Sequence, residues 1–312
     1  MKQIAGIDVG KHFLDVSIGN EPVQRYENTG SGHRFLILSL QDKGVTQVVC
    51  EATGGYERPL VTELQVHSID VHVAHPNKVR AYAKALGRLA KTDRLDADVL
   101  RLYGEHLEPV SQAPQTEETL ELRVLVRRRQ QLVRMRTEEK NRLEHEQSES
   151  VLRHIAWLDA ELRDIEQAYR RHLGEAEQLA RQATLYQSVR GIGELTAVTL
   201  LSELPELGQL SGPAITSLVG LAPWSQDSGQ RQGYRAIRGG RASVRKALYM
   251  SALSAIRYDN GVKTFYLGLR KRGKPGKVAL VAVMRKLLLM LNAVGKRGTP
   301  WVENYEVVLK AA

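Results

Sequence analysis

Between Glu117 and Arg181 the chain carries a single glycine, Gly174, and no proline. The stretch is dense in Leu, Arg, Glu and Gln, and its apolar residues recur at helical spacing, as at Leu120, Leu122, Val124, Leu125, Leu132 and Val133. Without helix breakers, that periodicity predicts long helices. They form either an antiparallel pair or a coil between subunits, or serve as a spacer with a solvated charged face. The run also divides the chain of 312 residues into a part at 1–110, a helical coiled-coil connector at 111–183 and a part at 184–312.

The first part alternates strand and helix signals. Ile4 to Val9 and Phe13 to Ile18 read as two strands joined by the turn Gly10-Lys11-His12, a hairpin. Val45 to Cys50 and Ile69 to Ala74 are further β-branched runs, each preceded by an amphipathic helical stretch. The expectation is a mixed α/β sheet domain.

The third part is unbalanced in charge. Of the whole chain's net charge of +10, the share between Gln230 and Arg297 is extreme: Lys and Arg recur, and Asp259 is the one acidic residue. A solvated face usually mixes signs. One-signed charge interleaved with Tyr234, Tyr249, Tyr258, Phe265 and Tyr266 points to nucleic acid, because neutralising phosphates releases condensed counterions. Within it, Lys277 to Val294 reads as an amphipathic helix whose Leu and Val residues pack inward. Upstream, Val189-Arg-Gly-Ile-Gly193 sets Gly191 and Gly193 in a tight turn before an apolar helix. Such a turn lets backbone amides meet a phosphate, and it serves equally as a plain turn packed under a helix.

Several classes are set aside at this stage. No apolar run reaches the roughly 18 to 20 residues that cross a bilayer, and the first residues lack the apolar segment of a signal peptide. The expected place is the cytoplasm, with no membrane partner. Cys50 is the one cysteine, so an intrachain disulfide and a cysteine-rich zinc cluster are excluded. Any metal rests on oxygen or histidine.

Four carboxylates stand out. Asp8 lies between Ile7 and Val9 with Gly6 and Gly10 leaving room, and Glu51 ends the run Val48-Val49-Cys50. A carboxylate among apolar strand neighbours needs a compensating charge, and a cation would supply it. Asp93 and Asp96 are three apart, which on a helix puts both on one face. Such a set suits divalent ions of the magnesium type, or manganese; two ions about 4 Å apart activate a nucleophile and stabilise a leaving oxygen in phosphoryl transfer. Structural roles are open for each: Asp93 as a helix cap, Asp8 at a turn, Glu51 paired with Arg58 or Lys91. Asp15 is expected to face solvent, and Asp98 to point off the shared face.

In the third part, Asp227-Ser228-Gly229 follows Pro223 and exposes a serine beside glycine; by composition alone this is a turn. Ser225 is a second serine close by. Arg235, Arg238, Arg241 and Arg245 downstream are candidates to hold a phosphate.

Over essentially its whole length the chain resembles the DEDD transposases of bacterial insertion sequences, the bridge-RNA-guided recombinases related to the pilin-gene invertases. The resemblance is carried by Gly6-Ile-Asp-Val-Gly10, Cys50-Glu-Ala-Thr-Gly-Gly55, His75-Pro-Asn77, Lys91-Thr-Asp-Arg-Leu-Asp-Ala97, Val189-Arg-Gly-Ile-Gly193, Asp227-Ser-Gly229, Ile237-Arg-Gly-Gly-Arg241, Val244-Arg245, Ala247-Leu-Tyr-Met250 and Met284-Arg-Lys-Leu-Leu288, in that order. It implies an N-terminal RuvC-like, ribonuclease H-type domain whose Asp-Glu-Asp-Asp set falls on Asp8, Glu51, Asp93 and Asp96. It implies a mainly helical C-terminal transposase domain with a helix-hairpin-helix-like segment and a catalytic serine at Ser228. In such enzymes the serine attacks DNA and holds it as a phosphoserine, with carboxylates and metal from a neighbouring protomer, while a noncoding bridge RNA pairs with donor and target DNA. The implied assembly is a homo-oligomer: a dimer, and a tetramer in the synaptic complex. The rivals are a RuvC-like metal-dependent DNA junction nuclease and a binding protein with a decayed nuclease fold.

Overall fold

The computed structural model describes residues 3–88, 93–109, 111, 115–145, 148–224 and 236–302, and for Asp93 and Arg94 the backbone alone. The chain divides into two compact units, Met1–Pro114 and Gln115–Ala312.

In the first unit β1 (Gln3–Val9) and β2 (Phe13–Ile18) form the expected antiparallel hairpin. β3 (Gln24–Glu27) adds to β2, while β4 (Val45–Glu51) and β5 (Asp70–Ala74) run parallel on the other side. The order is β3-β2-β1-β4-β5. Alternation along β1 assigns its side chains to two cores. Ala5, Ile7 and Val9 pack with Leu36, Ile37 and Leu40 of α1 (Gly30–Asp42) and Leu60 and Leu64 of α2 (Arg58–Val66). Ile4 packs with Val79 of α3 (Pro76–Ala85) and Val99, Leu100 and Tyr103 of α4 (Asp93–Leu107).

The second unit is mostly helical. α5 (Glu117–His145) and α6 (Glu149–Glu175) pair within the chain. Arg129 meets Glu166 and Arg136 meets Asp159, each at 2.7 Å, so partners advance along one helix as they recede along the other. The pair is an antiparallel hairpin, zipped in its middle by Leu132, Leu158 and Leu162. Its base is continuous with the C-terminal core: Leu122, Val126, Tyr169 and Leu173 pack with residues of α7 (Glu177–Gln187), α8 (Glu194–Glu203), α9 (Gly212–Val219), α10 (Ala242–Tyr258), α11 (Asn260–Lys271) and α12 (Gly276–Arg297). A short two-stranded ribbon, β6 (Pro223–Trp224) with β7 (Ala236–Ile237), stands between α9 and α10.

α12 corrects the expectation about apolar runs. The helix is long and apolar enough by itself to cross a bilayer; Arg285 and Lys286 interrupt the run and hid it. Leu280, Val283, Met284, Leu287, Leu288, Leu291 and Val294 are buried in the C-terminal core, as the amphipathic reading required.

Candidate active site

The carboxylates gather at one edge because the sheet places them there. Ile7 and Cys50 are in register on the parallel strands β1 and β4, so Asp8 and Glu51, each the next residue, leave neighbouring strands side by side at their C-terminal ends. Gly6 and Val49, two residues earlier, face α4. Asp8 and Glu51 therefore share the α4 face.

α4 is held unusually close. A methyl group at Gly6 would sit 2.1 Å from the carbonyl oxygen of Ala97 and 2.2 Å from the amide of Arg101. Farther along, Gly104 lies against Ile4 and Val49. The helix thus runs antiparallel to β1, and its first turn, carrying Asp93 and Asp96, arrives over the strand ends that carry Asp8 and Glu51. Glycine lets backbone approach backbone at Gly6, and at Gly104 it makes room for the Ile4 and Val49 side chains against the helix.

Asp15 departs from expectation. It is opposite Asp8 across the hairpin, on the same face, and only 5% exposed rather than solvent-facing. Like charges directly opposite are unfavourable; Arg25 on β3 grips Asp15 through two bonds at 2.9 and 2.8 Å. Asp98 is turned away from Asp96 and is bound by Arg88 and by Arg101, the latter at 2.6 Å. Arg101 also reaches Ser17 of β2 at 3.2 Å. Burial alone would raise the Asp98 carboxyl, but the two guanidinium groups outweigh it and hold it below the usual aspartate range.

Two residues that sequence reasoning missed tie down the loops beyond the carboxylates. The Asn28 amide donates to the carbonyls of Gly10 at 2.8 Å and Tyr56 at 3.3 Å, joining the loop after Asp8 to the loop after Glu51. Its oxygen faces His33 Nε2 at 2.8 Å, so that nitrogen carries the proton. Glu57 accepts from Thr53 Oγ1 and from the amides of Thr53 and Gly55, closing the turn that follows Glu51. Burial pushes the Glu57 carboxyl up, but a hydrogen bond from its own backbone amide, with those from Thr53 and Gly55, brings it below the usual glutamate value.

The C-terminal candidates are dispersed. Ser225, Ser228 and Arg235 lie outside the described residues, between the paired strands β6 and β7. Arg238 is exposed. Arg241 is occupied internally, donating to the Glu203 carbonyl at 2.8 Å and to both carboxylate oxygens of Glu206. Arg245 donates to the carbonyls of Val219, at 2.9 Å, and Gly239. Both guanidinium groups clamp the chain around the ribbon. Gly191, at φ +90°, is pressed against Ala255 and Ser251 of α10, whereas Gly193, which caps α8, is exposed with open space around it. In the segment read as helix-hairpin-helix-like, α7, a turn and α8 follow one another; Gly191 serves packing and Gly193 faces outward.

Carboxylate oxygens alone are the donor chemistry that hard divalent cations take. Among the described residues no group of three or more His, Cys, Asp or Glu side chains is gathered closely enough to hold a metal ion. Asp8, Glu51 and Asp96 are brought to one edge, and the side chain of Asp93 lies outside what is described.

A mixed sheet with carboxylates at its strand ends is followed by a mostly helical unit whose C-terminal half is strongly basic. Residues 5–147 match a transposase family model, and residues 183–267 match the model of the transposase IS116/IS110/IS902 family. The pilin gene-inverting proteins of Moraxella bovis and Moraxella lacunata are each 28% identical over 96% of this chain and 98% of their own length. A protein of insertion element IS110 from Streptomyces coelicolor is 32% identical over 36% of this chain and 28% of its own. The chain belongs to this IS110-type transposase family and is a DNA recombinase. Transposases of this kind bind DNA and typically depend on a metal ion.

Proposed function

We propose that the chain exchanges DNA strands with a metal-bound carboxylate set and a serine nucleophile, directed by a noncoding bridge RNA. The observation that carries the reading is the convergence of Asp8, Glu51 and the first turn of α4 at one edge of one sheet face. The antiparallel hairpin, parallel β4 and β5 and the covering helix suit a RuvC-like, ribonuclease H-type domain. Asp8, Glu51, Asp93 and Asp96 would hold magnesium or manganese. The ion, when bound, supplies Lewis-acid stabilisation of the negative charge that develops on the phosphate.

Ser228 Oγ loses its proton and attacks phosphorus; the Oγ–P bond forms, and the P–O bond to one sugar breaks with that oxygen taking a proton. Attack by the hydroxyl of the incoming strand reverses the step and frees the serine. One phosphodiester is exchanged for another, so rejoining needs no external energy source. Arg238, exposed beside the ribbon, would hold a DNA phosphate, with Arg235 beside it in sequence. Donor and target DNA would pair with the RNA inside a homo-oligomer, a dimer passing to a tetramer in the synaptic complex.

A junction nuclease is the second reading, favoured by a carboxylate edge that needs no serine to direct water at a phosphate. The two separate in a strand-exchange assay with the element's flanking noncoding RNA and supercoiled donor and target DNA. Loss of exchange and of a protein–DNA adduct in Ser228→Ala, together with loss of all cleavage in Asp8→Ala, supports the serine reading. Unchanged cleavage in Ser228→Ala replaces it with the nuclease.

A further inference from the structure

The basic surface of this chain is not confined to its C-terminal unit. α3 reads Pro-Asn-Lys-Val-Arg-Ala-Tyr-Ala-Lys-Ala and contains no acidic residue. Val79 and the partly buried Tyr82 and Ala83 pack it onto the sheet, which leaves Asn77, Lys78, Arg80 and Lys84 exposed on the other side. None of the three cations has an ion-pair partner among the described residues. The helical hairpin is the contrast: there Arg127, Arg129 and Arg136 each meet a carboxylate.

The place of α3 gives that charge a direction. Ala74, the last residue of β5, is in register with Glu51, and its carbonyl accepts from the amide of Ala52 at 3.1 Å. α3 therefore starts at the carboxylate edge and leads away from it. Its cap is His75, whose Nδ1 accepts the Asn77 amide at 3.1 Å. An accepting Nδ1 leaves the proton on Nε2, so the exposed ring adds a donor at the start of the basic face.

We propose that the exposed face of α3 is a binding site for the phosphodiester backbone of double-stranded DNA, running to the carboxylate edge. Lys78 to Lys84 spans about 9 Å of helix, and each DNA strand presents a phosphate about every 3.4 Å of axis. The three cations therefore cover two or three phosphates. The site selects backbone and not sequence, since none of the three side chains is a planar base reader held in place by a neighbour. The inference rests on the carboxylate edge being where DNA is processed.

The test is fluorescence anisotropy with the full chain and a 20-bp DNA duplex unrelated to any insertion element, titrated from about 50 to 300 mM salt, beside a single-stranded RNA of equal length. The triple substitution Lys78→Gln, Arg80→Gln, Lys84→Gln is expected to lower the slope of log K against log salt by about two to three and to weaken duplex binding roughly tenfold or more at the lower salts. Lys78→Arg with Lys84→Arg keeps the wild-type slope, and an unchanged unfolding midpoint shows that the triple variant folds. An unchanged slope overturns the proposal. A loss confined to the RNA gives the face to RNA and overturns it too. Strand exchange by Asp8→Asn is measured in parallel: retained exchange fails the carboxylate-edge reading, whereas an unchanged slope in the triple variant fails this proposal, so the two failures are separate results.

Discussion

The carboxylate edge of the first unit and the ribbon region of the second place their candidate residues by different means. Asp8 and Glu51 are short side chains at the ends of adjacent strands, so backbone register fixes them, and a backbone-to-backbone crossing at Gly6 brings the first turn of α4 over them. Around the ribbon the candidates are arginines, whose long side chains reach whatever acceptor is near; Arg241 and Arg245 have found carbonyls and the Glu206 carboxylate inside their own unit. A short acid on a strand end can be placed by topology alone. A long cation must be followed to its partner before it can be given a role.

The largest effect expected at the carboxylate edge is on chemistry without loss of fold. Asp8→Asn keeps volume and removes charge, and strand exchange should fall by about 10³-fold or to the detection limit, with the unfolding midpoint retained, in the recombination assay and a thermal melt. Retained exchange would break the comparison, because register would then have delivered a merely structural acid. Gly6→Val attacks the placement itself. Its side chain meets backbone atoms of Ala97 and Arg101 that have no rotamer to yield. The first unit should lose about 3 to 5 kcal/mol in denaturant unfolding, near the upper end for a single substitution.

That difference also decides what was legible in the sequence. Strand alternation and the Gly-flanked Asp8 announced the sheet and its acid, and the scarcity of glycine and proline announced long helices, with their antiparallel pairing within the chain as one of the readings left open. β3 was not visible: Gln-Arg-Tyr-Glu is an edge strand with no buried residue, so it carries no alternating signal. Asp15 was misplaced for the same reason, since its burial depends on Arg25 from that unseen strand. Asn28 left no trace because its amide donates to loop carbonyls of distant segments, and His33 acts only through the Asn28 side chain. The role given to Ser228 came from family resemblance and the metal from the carboxylate pattern together with that resemblance, and both stay proposals. The arginines illustrate a limit of charge counting, which sees a basic stretch but not which members are already engaged.

Two arginines four residues or fewer apart in sequence sharpen the contrast within the ribbon region. Arg241→Ala removes the two-pronged grip on Glu206 and the bond to the Glu203 carbonyl, leaving a half-buried carboxylate without that partner. A loss of about 1 to 3 kcal/mol in stability is expected, measured by urea unfolding. Arg238→Ala, exposed, should change stability by less than about 0.5 kcal/mol and instead lower the salt slope of duplex binding by about one. If the two effects came out exchanged, the assignment of Arg241 to structure and Arg238 to DNA would be reversed.

The smallest effect belongs to Asp98 and appears as a pH dependence. Its carboxyl lies below the usual aspartate range when folded, because the Arg88 and Arg101 guanidinium groups favour the charged form by more than burial disfavours it. The unfolded chain therefore takes up a proton at higher pH than the native one does. The contribution of this group is complete above the ordinary aspartate value of about 4 and is lost as pH falls from there through the lower native value. Asp98→Asn should leave a protein less stable than wild type at neutral pH, with the gap narrowing as pH drops below about 4, seen as converging urea midpoints. Parallel midpoints at every pH would mean that Arg88 and Arg101 do not sense the charge of Asp98. The anchoring of α4 to the sheet would then rest on the Arg101–Ser17 bond to β2 and on the close backbone crossing at Gly6 of β1.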